Sequence, residues 1–202
     1  MKLYDTTMAP NPRRVRIFLA EKGIDVPMEQ VDLGKSEHKT PDFVKMNPMM
    51  RVPVLELDDG SYISESMAIC RYFEEVQPEP PLFGRDPKEK ALVEMWNRRV
   101  ELNVLMTIAS AFRHGHPGMA DREEQVAAWA EVNQRRAPEA LDFLDESLAN
   151  SKYLVGDYFS VADINALVAV DFGRIIKVRM GEQHKNLARW HADVSSRPSA
   201  KA

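Results

Sequence analysis

Arg51-Val52-Pro53-Val54-Leu55-Glu56-Leu57-Asp58-Asp59-Gly60-Ser61-Tyr62-Ile63-Ser64-Glu65-Ser66-Met67-Ala68-Ile69 is the stretch that decides the fold. Pro53–Leu57 is a short apolar strand, Asp58-Asp59-Gly60 is turn chemistry, and Ser61–Ser64 is a second strand, so the segment reads as a β-hairpin. Glu65–Glu75 then reads as a helix, with Met67, Ile69 or Cys70, and Phe73 facing inward. Val52-Pro53 stands just before one hairpin strand and Glu65-Ser66 just after the other, so both belong at the same edge of the sheet. A cis Val52-Pro53 bond would turn the Val52 amide and carbonyl outward, free to pair with an extended peptide. A trans proline that merely starts a strand is the alternative. At Glu65-Ser66, helix N-terminal amides together with the Ser66 hydroxyl form a receptor for a carboxylate, although an ordinary N-cap uses the same residue types.

Upstream, Lys2–Tyr4 reads as a strand and Thr6-Thr7-Met8-Ala9-Pro10-Asn11-Pro12 as a turn-rich loop. In the helix that follows, Val15, Phe18, Leu19 and Lys22 share one face and Gly23 is the stop. Met28–Leu33 reads as another strand. The order βαβ–ββα is that of an α/β thioredoxin-like domain over residues 1–76. Residues 77–88 hold four of the thirteen prolines and form a linker. Beyond it strand-like alternation stops. Lys88–Arg113 and Asp121–Leu148 read as long helices, the second kinked at Pro138, so residues 89–202 are an all-α domain.

With 202 residues, 44% hydrophobic and 29% charged, the chain is an ordinary folded protein. A net charge of −4 argues against nucleic acid as its main partner. One cysteine, Cys70, excludes a disulfide framework and reads as a core residue in a reducing compartment. No signal peptide follows Met1, and no apolar run reaches the length of a membrane span. These features predict a cytoplasmic location without membrane contact. Ser160-Val161-Ala162-Asp163 has the form of a capping box, a folding element with no catalytic part. His114 and His116, two residues apart, do not share a helix face, and no metal site is expected.

Together, Pro10-Asn11-Pro12-Arg13-Arg14-Val15-Arg16, Gly34-Lys35-Ser36-Glu37-His38-Lys39, Val52-Pro53-Val54-Leu55, Glu65-Ser66-Met67-Ala68-Ile69 and Gly156-Asp157-Tyr158-Phe159-Ser160-Val161-Ala162-Asp163 resemble the cytosolic glutathione S-transferases along essentially the whole chain. The sequence stops soon after Arg197-Pro198-Ser199, where that family usually carries a further helical turn, so a trimmed or disordered tail is expected. The resemblance implies a homodimeric enzyme that takes glutathione as co-substrate, with no metal. It would stabilise the thiolate for attack on a small hydrophobic electrophile, in detoxification. By the same resemblance Val52 pairs with the cysteinyl unit beside a cis Pro53. Glu65 and Ser66 take the γ-glutamyl end. His38 and Lys39 lie near the glycyl carboxylate, with Arg51 as a third contact.

Alignment with the family puts Ala9 where its usual serine donor stands, and alanine has nothing to donate. Asn11 and Thr7 are the loop residues left to activate the thiol, with Thr6 in reach. Asn11 also suits a turn or N-cap before Pro12 at the first helical position. A second possibility, carried by atypical fungal relatives, is a water held by residues of the long helix, with Asn103, Ser110, His114 and His116 as candidates. Met8, Ala9, Met106, Ser110, Phe112 and His114 are assigned to the electrophile pocket, with Met119 nearby; core packing is the competing role for each Met or Phe. Glutathione-dependent reduction of disulfides or peroxides, and a non-catalytic glutathione-binding module, are the alternative functions.

Overall fold

The computed structural model describes every residue, Met1–Ala202. The chain forms two compact units, Met1–Leu82 with Pro198–Ala202, and Phe83–Arg197.

The first unit is built on a four-stranded sheet of order β2-β1-β3-β4, with β1 Lys2–Asp5, β2 Met28–Gln30, β3 Val54–Glu56 and β4 Tyr62–Ser64. β1 runs parallel to β2 and antiparallel to β3, and β3 pairs antiparallel with β4 through the expected hairpin. Strand alternation sends Leu3 and Leu55 to one face and Tyr4 and Val54 to the other. On the second face Tyr4 and Val54 join Val31, Phe43 and Val52, and the Phe43 ring meets Tyr4 edge-on at 6.3 Å. Phe43 belongs to α2 (Pro41–Met46), a helix that the sequence reading passed over. Its signal was present: Thr40 accepts the Phe43 amide as N-cap, Pro41 opens the first turn and Asp42 follows.

α1 (Pro10–Lys22) and α3 (Ser66–Val76) pack on each other. Val15, Phe18, Leu19, Ile69, Cys70 and Phe73 are all buried there, and Gly23, at φ +64°, ends α1 as expected. Lys22 is buried on the same face because its ammonium has partners. It donates to the carbonyls of Gln77, Pro78 and Pro80 at 2.8, 3.1 and 2.6 Å and pairs with Glu74. The side chain of Gln77 returns a bond to the Lys22 carbonyl at 2.6 Å. Residues 77–82, assigned from their prolines to a linker, are thereby held to the first unit. Pro198–Lys201 forms a 3-10 turn against α1, with Arg13 donating to the Ala200 carbonyl.

The second unit is helical: α4 Pro87–Val100, α5 Met106–Gly115, α6 Ala127–Ser147, α7 Val161–Phe172 and α8 Lys185–Ser195. The single helix expected over Lys88–Arg113 starts at Pro87, capped by Asp86, and is interrupted by a π turn at Glu101–Leu105. Such a turn inserts one residue into the helical register. The following helix begins at Ala127 instead of Asp121, because the intervening polar residues close the end of α5. Gln125 donates to the carbonyls of Arg113 and His116, and Val126 N–H donates to His114 Nδ1. α6 continues through Pro138.

α7 is buried from Val161 to Val170 and opens with the Ser160–Asp163 capping box. Asp163, fully buried, accepts the backbone amides of Ser160 and Leu154, the Ser160 hydroxyl and the Trp190 indole. No helix is long and apolar enough to cross a membrane.

Candidate functional site

Register brings the chemistry of the first unit to one end of its sheet. Val54 faces both Tyr4 and Ser64, and Asp5 faces Gln30. The residues after β1, before β3 and after β4 therefore leave the sheet at the same end. Both α1 and α3 start there.

The wall next to β3 carries Val52 and Pro53. Their peptide bond is cis. Val52 is buried as a residue, yet its amide and carbonyl make no hydrogen bond within the chain. The approach to it is held by Asn47, 2% exposed, whose side chain donates to the Arg51 carbonyl and accepts the Met49 amide, at 2.8 and 3.0 Å. Arg51 itself is exposed.

Across the hairpin, Glu65 sits at φ +70°, a left-handed value rare for a residue with a Cβ. It is the N-cap of α3 but provides no side-chain cap, and no acidic residue stands in the first helical turn. Ser66 is 4% exposed at the first helical position. The amides of Ser66, Met67 and Ala68 precede the first intrahelical bond, from Ile69 to the Glu65 carbonyl. Three donors and the positive end of the helix dipole thus converge with a hydroxyl, an arrangement that accepts a carboxylate. His38 and Lys39 share a 3-10 turn, where His38 is buried and Lys39 exposed.

The loop after β1 is braced from below. Buried Asp5 accepts Arg16 at 2.6 Å and Gln30 at 2.7 Å. Arg16 also donates to the carbonyls of Thr6 and Thr7. Gln30 Oε1 accepts both the amide and the hydroxyl of Thr7, which commits the hydroxyl proton of that candidate to Gln30. Met8 is 92% exposed, so core packing does not describe it.

The N-cap reading of Asn11 is corrected by α1. Ala9 is the N-cap, Pro10 the first helical residue, and Asn11 and Pro12 lie within the first turn. The reason is that Pro10, with its fixed φ, already suits the first helical position. The correction sharpens the chemistry. Neither proline has an N–H, the Ala9 amide bonds to the Thr6 carbonyl, and the Arg13 amide to the Ala9 carbonyl. Asn11 therefore provides the one unpaired backbone N–H at this helix N-terminus. Its side-chain oxygen accepts Arg14 Nη2 at 2.6 Å, which leaves Nδ2 as a second donor.

In the second unit Met106, Ser110, Phe112 and His114 lie along α5. Met106 is 40% exposed, and Phe112 packs against the rings of His116 and Phe172. His114 and His116 each use Nδ1 to accept a backbone amide, from Val126 and Gly118. Asn103 donates back to the Arg99 carbonyl inside the π turn. Sequence reasoning did not single out Asp5, Gln30 or Asn47. Each is a polar residue whose partner lies in another element, and a linear pattern carries no sign of that.

Comparison with known proteins agrees with this architecture. Residues 9–76 match the family description Glutathione S-transferase, N-terminal domain, and residues 102–198 match Glutathione S-transferase, C-terminal domain. A protein of Saccharomyces cerevisiae named glutathione S-transferase 2 is 38% identical over 205 residues, covering 100% of this chain and 88% of the relative. The crystal structure of Gtt2 from the same organism superposes with a TM-score of 0.95 at 37% identity, covering 100% and 99% of the two chains. A glutathione S-transferase domain-containing protein of Marinobacter aquaeolei gives 0.93 at 40% identity, covering 98% and 99%. On sequence, domain order and fold alike, the chain belongs to the glutathione S-transferase family.

Proposed function

We propose that this chain is a glutathione transferase whose first unit grips the tripeptide lengthwise and whose Asn11 stabilises the sulfur as thiolate. The cysteinyl unit pairs with the free amide and carbonyl of Val52. The γ-glutamyl carboxylate sits on the α3 N-terminus with Glu65 and Ser66, and the glycyl carboxylate lies towards His38 and Lys39, with Arg51 beside it. The reaction loses the thiol proton to solvent. A carbon–sulfur bond then forms as the bond from carbon to the leaving group breaks, and the leaving group departs with the electron pair.

A free thiol has a pKa of about 8.5, and lowering it by two units takes roughly 2.7 kcal/mol of preferential thiolate stabilisation. A helix N-terminus provides part of that. The observation that carries the reading is the donor set of α1: with Pro10 and Pro12 donating nothing, the backbone and side-chain amides of Asn11 are what that terminus offers a thiolate. This also favours an enzyme over a binding module that has lost its donor with Ala9. Thr7 supports the loop through Gln30.

In the same proposal the second substrate is a small hydrophobic electrophile. The enzyme acts in the cytoplasm, in detoxification, as a homodimer. Exposed Leu102, Trp129 and Phe143 in the helical unit are apolar area consistent with pairing.

The test is a pair of variants. Ser66→Ala weakens glutathione binding, read as a raised glutathione KM, while Asn11→Ala mainly lowers kcat with a chlorodinitrobenzene-type substrate. Negligible effects from both place the site elsewhere. Parallel assays with a mixed disulfide and an organic peroxide distinguish conjugation from reduction.

A further inference from the structure

We infer that Arg14 is a positioning residue for the thiolate: its buried guanidinium holds the Asn11 amide in the one orientation that leaves Nδ2 to donate. This inference rests on the reading of Asn11 as the thiolate donor.

Arg14 follows Asn11 by three residues on α1, close to one helical turn, so the two side chains are neighbours on one face. It is 2% exposed, and its Nη2 lies 2.6 Å from Asn11 Oδ1. Asn11 is only half-buried, and its Nδ2 makes no bond within the chain.

A guanidinium carries only donors, whereas an asparagine amide presents an oxygen on one side and a donating nitrogen on the other. With the amide turned over, two donors would meet at hydrogen-bond distance. Arg14 therefore selects the rotamer in which the oxygen points inward and the nitrogen points out. The bond is charge-assisted and short, the stronger class of hydrogen bond. Its polarisation of the amide makes Nδ2–H a better donor. An asparagine without such a partner can turn its oxygen towards the thiolate, and the two would repel. In this protein, where Ala9 replaces a hydroxyl donor, orientation of the substitute amide becomes a requirement of its own.

The test is a thiol titration in a mutant cycle. The ultraviolet absorbance of glutathione bound to the homogeneous enzyme is followed against pH for the parent, Asn11→Ala, Arg14→Met, Arg14→Lys and the Asn11→Ala/Arg14→Met double variant, with glutathione affinity measured beside it. The expected result is that Arg14→Met raises the pKa of the bound thiol by about one unit, equivalent to roughly tenfold less thiolate below the pKa. Glutathione affinity measured below the pKa of the bound thiol, where both free and bound glutathione carry the proton, stays near the parent value. Lysine, a cation that still donates, restores part of the shift. In the Asn11→Ala background Arg14→Met adds nothing.

The inference is overturned if Asn11→Ala raises the pKa but Arg14→Met does not, or if Arg14→Met shifts it equally in both backgrounds. A parent-like pKa in Asn11→Ala instead removes the reading of Asn11 itself, and this inference with it. If Arg14→Met does not fold, Arg14→Lys carries the test: a smaller rise confined to the Asn11 background supports the inference, and no rise overturns it.

Discussion

Lys22→Met tests the account of the buried end of α1 most severely. Methionine keeps the unbranched length of lysine and removes the ammonium. Three carbonyls, those of Gln77, Pro78 and Pro80, lose their donor, and Glu74 loses the cation paired with it. Lys22 and Glu74 are 4% and 7% exposed, so water replaces little of this. Removing one partner of a buried pair costs about 3–5 kcal/mol, because the other charge stays buried. Part of the carbonyl loss is recovered by local movement, which keeps the expected total near 4 kcal/mol. For a chain of this size each kcal/mol moves the melting temperature by about 2–4 °C, so the fall should be roughly 8–16 °C by calorimetry. Lys22→Met/Glu74→Gln removes the stranded charge as well and should recover part of that loss. A fall below about 3 °C, or a double variant no more stable than the single one, refutes the reasoning. Either result would mean that the 77–82 segment holds to the first unit without its lysine.

Cys70 is fully buried, and burial pushes its thiol pKa far up, with Glu74 also raising it and Arg14 opposing. The native protein should not react with an aromatic disulfide reagent, whereas one thiol should appear on unfolding in urea; rapid labelling of the folded protein contradicts this. Burial, and after it the charge of Glu89, pushes the Tyr158 phenol from its ordinary 10.0 up to about 12. Between those values the unfolded chain has lost the phenolic proton and the folded chain retains it. The folded state then binds more protons, so this group's stabilisation falls as pH rises from about 10 to about 12. Tyrosinate absorbance and unfolding followed together at alkaline pH should show Tyr158 ionising as the helical unit opens, and ionisation near 10 in the folded protein would contradict it.

The hairpin was legible because its grammar is local: an apolar strand, Asp58-Asp59-Gly60 and a second strand define register, and register alone takes Val52 and Ser66 to one end of the sheet. The Ser160–Asp163 box was legible for the same reason. The π turn at Glu101–Leu105 was not, since a one-residue change of helical register preserves composition. Lys22 showed its face in the helical spacing, but its partners lie more than fifty residues away. The site divided likewise. Asn11 was visible as a candidate, while its place inside the first turn depended on which of two prolines opens the helix. Arg14, read only as part of a family motif, drew notice through its contact with Asn11, which the sequence alone does not display. Asp5, Gln30 and Asn47 act through contacts that only the folded chain brings together.

Soaking the crystallised protein with glutathione is the most direct measurement of the central claim. The account predicts the cysteinyl unit paired with the backbone of Val52, the γ-glutamyl carboxylate on the amides after Glu65, and the sulfur within about 3.5 Å of an Asn11 nitrogen, allowing for the longer bonds that sulfur makes. Glutathione bound away from Val52 and Ser66, or a sulfur whose nearest donor is some other residue, contradicts it.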